Sequence, residues 1–139
     1  MPMHPILRNI LAVLAGLIAG NIVNMGLIEL GSIAFPLEGA DPNNMEAFAA
    51  AMVNAKVEHY IFPFLAHALG TLIGAILAAK LGVKYKITLA FVIGFFFLAG
   101  GIMVNYLIPG PTWFAALDLA VAYLPMAWIG GKIGSRLKK

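Results

Sequence analysis

A chain of 139 residues that is 62% hydrophobic and only 11% charged cannot hide its apolar surface in a water-soluble core of its own. Lipid must be its solvent, and low-complexity disorder is excluded by the same balance. The net charge of +3 is small, and the absence of cysteine removes disulfides, thiolate metal sites and thiol nucleophiles.

The length fits one domain over residues 1–139, read as an all-α integral membrane protein. The opening Met1-Pro2-Met3-His4-Pro5 leads into an apolar run much longer than a signal-peptide core, with no small-residue cleavage pattern after it. The first helix is therefore expected to stay as an anchor. A hydrocarbon core about 30 Å thick needs about 20 apolar helical residues. Four stretches meet that length, at about 6–35, 57–81, 87–108 and 113–134. Pro36 stops the first, Gly82 is a candidate cap for the second, and Pro109-Gly110-Pro111 forces a tight hairpin after the third. Between the first two spans, Asp41-Pro42 reads as an N-cap and first-turn pair. Met45, Phe48, Ala49, Met52 and Val53 then fall on one helical face, which predicts an interfacial amphipathic helix over 42–56 running on into the second span.

Orientation follows from the basic residues. Arg8, Lys80, Lys84, Lys86, Lys132, Arg136, Lys138 and Lys139 fall at one end of this four-helix bundle, and only Lys56 at the other. By the positive-inside bias, both termini are expected in the cytoplasm and the chain in the cell (inner) membrane. Tyr60, Tyr106 and Trp113 would form the outer aromatic belt, with Tyr85 and Trp128 at the inner boundary. So short a basic tail offers few phosphate contacts, so lipid and not nucleic acid is the expected partner.

Polar residues placed by helical rise define the candidate site. His59 and Asn105 lie within about 5 Å of the outer boundary, Asp118 and Glu29 roughly 7–10 Å down, and Asn24 and His67 near mid-bilayer, with Asn21 slightly deeper. The inward half holds almost no polar group before the lysines. Ionisable groups in lipid cost about 2.5–3.5 kcal/mol each, so they should turn inward and find partners. Asn21, Asn24, Ile28 and Ser32 share a stripe of the first span, with Glu29 at its edge. His59, Pro63, Ala66, His67, Gly70 and Gly74 share a face of the second. Pro63 and Pro125 free the carbonyls of His59 and Val121. The whole reads as a polar funnel opening outward and closing at mid-membrane. His67 is expected to face into the bundle with Glu29 or Asp118 within hydrogen-bond reach, a pair able to hold or pass a proton.

Plainer readings stand beside this one. Asn21, Asn24 and Asn105 suit interhelical hydrogen bonding, and Gly16/Gly20, Gly70/Gly74 and Gly130/Gly134 are small-residue packing pairs without chemistry. His59 suits a purely interfacial role. His59 and His67 stand about 12 Å apart along their helix and cannot share one ion, so neither a metal nor another cofactor is expected. No metalloprotease, nucleophile-elbow or phosphate-loop motif is present. The leading expectation is transport or binding of a small solute, ion or proton at the funnel, by a homo-oligomer. The alternatives are an accessory subunit of a larger membrane complex and a membrane-embedded enzyme using histidine and carboxylate as acid and base.

Overall fold

The computed structural model describes residues 1–137, so Lys138 and Lys139, counted above with the basic end, lie outside the described residues. The chain forms helices α1 (Pro5–Ala34), α2 (Met45–Met52), α3 (Ile61–Leu81), α4 (Lys86–Leu107), α5 (Thr112–Val121) and α6 (Leu124–Arg136), with a 3-10 turn at Val57–Tyr60 and no strand among the described residues. Four helical stretches are long and apolar enough to cross a membrane: Pro5–Ala34, Val57–Leu81, Lys86–Leu107 and Thr112–Arg136. This is an all-α membrane bundle.

Local chemistry sets the boundaries. His4 Nδ1 accepts from the Ile6 amide at 3.3 Å, and Pro5 occupies the first turn of α1, where its missing N–H leaves no bond unmade. The amphipathic helix is shorter than 42–56. Asp41 Oδ1 takes the Asn43 amide at 2.9 Å in a local turn, so the helix waits for Asn44, whose Oδ1 accepts from Ala47 at 3.1 Å. It ends at Met52 and does not run on; the chain restarts through the 3-10 turn, where His59 Nδ1 accepts the Lys56 amide at 2.8 Å. Gly82 does cap α3, but in extended conformation; the left-handed residue of that turn is Tyr85, at φ 55°. Asn9 holds this turn from α1, accepting from the Val83 amide at 2.9 Å and donating to the Lys84 carbonyl at 3.2 Å.

The fourth span is two helices, not one. Pro125 cannot donate to the carbonyl of Val121 and sits in the first turn of α6, so the helix breaks at Ala122–Tyr123. Ala122 still donates to the Asp118 carbonyl at 3.0 Å, closing α5 at the residue whose side chain matters most below.

Helix α3 is the axis of the bundle, with α1, α4 and α6 packed around it. Toward the basic end these contacts run backbone to backbone. A Cβ on Gly16 would stand 2.5 Å from the Gly74 carbonyl oxygen, and one on Gly20 2.6 Å from that of Gly70. On the other side of α3, a Cβ on Gly130 would meet the Leu72 carbonyl at 2.7 Å. The glycine pairs are thus contacts inside one chain, the geometry small residues permit where lipid supplies no hydrophobic drive. Ala75, Ala78, Ala79, Ala90, Ile93 and Ala127 complete this fully buried core.

Toward the acidic end the packing changes. Met52, Tyr60 and Phe114 form a separate buried cluster that ties α2 over the bundle. Tyr60, expected in an aromatic belt, is instead buried, its ring 4.7 Å from Phe114 and 5.9 Å from Trp113.

Candidate functional site

The structural pivot is Asp118. It is completely buried on α5, and its carboxylate gathers three side chains from three other stretches of chain. His67 Nδ1 lies 2.8 Å from Oδ1, while Asn105 Nδ2 and the Tyr123 hydroxyl donate to Oδ2 at 3.2 and 3.1 Å. With Asp118 as carboxylate, His67 Nδ1 carries the proton of that bond, leaving Nε2 as the ring's second polar atom. The imidazole is stacked on Tyr123, ring centroids 5.7 Å apart. It is itself nearly buried, its side chain 11% exposed.

Each member is held in turn. Thr71 Oγ donates to the His67 carbonyl at 2.8 Å, one turn back on α3. Asn105 Nδ2 also donates to the Gly101 carbonyl at 2.9 Å. Gly101 has no room for a side chain, because its Cβ would collide with the Tyr123 ring and hydroxyl. Tyr123 reaches Asp118 because the α5–α6 break turns it back beneath that helix. Every buried side-chain polar atom among the described residues has a partner. A buried network that is fully satisfied is rigid, and an unpaired member would be costly.

Two cavities meet at His67. The larger, about 230 Å³, lies toward the acidic end, walled by α1, α3 and α4 and roofed by Pro42, Asn43, Met45 and Phe48. The second, about 210 Å³, lies deeper and is bounded by Asn21, Gly70, Thr71, Phe97, Gly100 and Tyr123. Asn24, His67 and Val104 line both, so the polar cluster stands at their junction. Below them α1 and α3 meet backbone to backbone at Gly16–Gly74 and Gly20–Gly70.

The sequence-derived candidates therefore separate. His67, Asp118 and Asn105 come together in one hydrogen-bonded cluster. Asn24 joins them as a cavity wall. Glu29 does not reach His67: it is exposed, lines the outer cavity, and accepts from Asn43 Nδ2 at 3.4 Å. Asn21 is exposed at the deep cavity's edge and donates to the Leu17 carbonyl of its own helix at 2.9 Å. His59 stays with its local cap beside a third, smaller cavity. No three histidine, aspartate or glutamate side chains cluster in metal-binding fashion among the described residues. Sequence reasoning missed Tyr123 and Thr71. The signal for Tyr123 was its place two residues before Pro125, where a broken helix can turn a side chain inward.

No protein family, curated protein or solved structure matches this chain.

Proposed function

We propose that this chain binds a small solute, ion or proton from the acidic end of the bundle and passes it through the membrane, with His67–Asp118 as the proton-holding centre. One observation carries the reading: a fully buried carboxylate, hydrogen-bonded to a histidine, stands where two cavities meet inside an apolar bundle. Intramembrane ionisable groups are expensive, and pairing one against an open cavity is how a site accepts or releases charge. The close backbone approach of α1 and α3 at Gly16–Gly74 and Gly20–Gly70, toward the basic end, favours one-sided access that alternates, over a continuous pore. The six described basic residues at that end support a cytoplasmic orientation for it, by the positive-inside bias.

The test is a thermal-shift screen of the purified protein against monovalent and divalent cations and small polar solutes. A ligand at about 100 times its Kd stabilises by about 2.7 kcal/mol, which such a screen resolves readily. Hits should vanish in Asp118→Asn and weaken in His67→Gln. If every hit survives both changes, binding lies elsewhere and the proposal is wrong. For topology, single cysteines at Asn43 and Lys84 should react with an impermeant reagent from opposite faces; labelling from one face would overturn the orientation.

A second reading, assembly with copies of itself or with a partner subunit, is favoured by α1. Ile10, Leu14, Ile18 and Ile22 form an exposed apolar stripe along it. Disulfide crosslinking of Ile18→Cys in native membranes should trap a dimer if copies meet there, and a monomer throughout would exclude contact at that position.

A further inference from the structure

The same site has a side door. Helices α1 and α4 meet low in the bundle, where Gly16 faces Ile93 and Gly20 faces Phe97. Above Phe97 the two cavities stand between them. Gly100, on α4, is exposed at the edge of the deeper cavity, and a Cβ there would find nothing within 4 Å. Asn21 is exposed on the opposite, α1 side. At this depth the medium outside the bundle is hydrocarbon, so the crevice opens to acyl chains and not to water.

Resting on the site of the proposed function, we infer that it also takes a second ligand, a membrane-dissolved long-chain alcohol, which enters between α1 and α4 with its hydroxyl at His67 and its chain trailing past Gly100 into the bilayer. Three features select that chemistry. The walls are mainly apolar, so the body of the ligand is apolar. Neither cavity is lined by lysine or arginine, which disfavours a phosphate or carboxylate head. When the ring is uncharged, the bond to Asp118 keeps its proton on Nδ1, so Nε2 is an acceptor, and an uncharged hydroxyl is the donor that satisfies it. The Asn24 amide, lining both cavities, supplies a second polar group for the hydroxyl oxygen.

The experiment uses the full chain in phosphatidylcholine nanodiscs with a long-chain primary alcohol that carries a diazirine. Photolabelling should saturate, map to the α1 and α4 segments flanking the crevice, and be competed by the unlabelled alcohol. The methyl ether of that alcohol cannot donate a hydrogen bond and should compete about tenfold less well, the worth of about 1.4 kcal/mol. Gly100→Leu should fill the crevice mouth and cut labelling by about tenfold, on the same scale. Its control is Gly26→Leu, another helix glycine with nothing within 4 Å of its Cβ but lining neither cavity, which should leave labelling unchanged. Unsaturable labelling, equal competition by the ether, or insensitivity to Gly100→Leu would reduce the contact to ordinary surrounding lipid and overturn the inference. So would efficient disulfide dimerisation of Gly100→Cys, which would put a second copy in the crevice. Failure here with an Asp118→Asn-sensitive hit in the thermal-shift screen would remove the alcohol and leave the proposed function standing; failure of both removes both.

Discussion

Between the mid-membrane and the basic residues the spans touch through glycine and alanine, with carbonyl oxygens where side chains would otherwise be. Near the acidic end the same spans part around two cavities, and what joins them is a carboxylate with three hydrogen-bonded partners. The first kind of contact gains from dispersion and close approach and needs no charge. The second is weaker evidence for stability, since a buried ion pair often does no better than an apolar replacement of the same shape. Backbone-to-backbone glycine contacts hold the basic half of the spans together, and a hydrogen-bonded carboxylate cluster holds the acidic half.

That contrast can be broken most forcefully at Asp118. Asp118→Ala leaves His67, Asn105 and Tyr123 without their common acceptor, and should cost about 3–5 kcal/mol in detergent unfolding. A loss of less than about 1 kcal/mol would mean that water enters the cluster freely. Gly74→Leu attacks the other half, where an added Cβ would stand 2.7 Å from the Gly16 carbonyl oxygen. Overpacking of this kind costs about 1–3 kcal/mol, while Gly100→Leu should be near neutral. Equal thermal midpoints for the two leucine variants would erase the distinction between the halves. Tyr123→Phe removes one of three bonds to the carboxylate and should cost about 1 kcal/mol. The smallest effect is expected at the roof, where Asn44→Ala removes the cap of α2 for about 0.5–1 kcal/mol. Its mark should be faster hydrogen exchange at the Ala47 amide with α3 unaffected; global loosening would show that α2 is part of the bundle's core.

The four spans were legible because a membrane imposes length and hydropathy together, and nothing else in the chain imitates that signal. The break at Ala122–Tyr123 was half legible: Pro125 announced a freed carbonyl, but apolar residues on both sides hid the change of direction. For the same reason Tyr123 was invisible as a partner. Depth brought both Asp118 and Glu29 within expected reach of His67, since all three had to escape lipid, and left the choice between the two carboxylates open. Glu29 shares a similar depth yet lies on the far side of a cavity, and depth carries no azimuth. The cap of α2 was misplaced by three residues because Asp41 and Asn44 are both good cap residues, and only the local turn at Asn43 decides between them.

Asn9 has a consequence for how the chain is made. Its partners Val83 and Lys84 are separated from it by 74 and 75 residues, so the clasp cannot close until the second span has been synthesised and its turn has emerged. Through that interval α1 waits in lipid with Gly16 and Gly20 uncovered, a groove open to any passing helix. Order of birth thus governs a window of vulnerability, which shuts when α3 arrives. Arrested chains ending before Ile61 should leave α1 free to crosslink with foreign helices, and chains carrying the completed α3 and its turn should not.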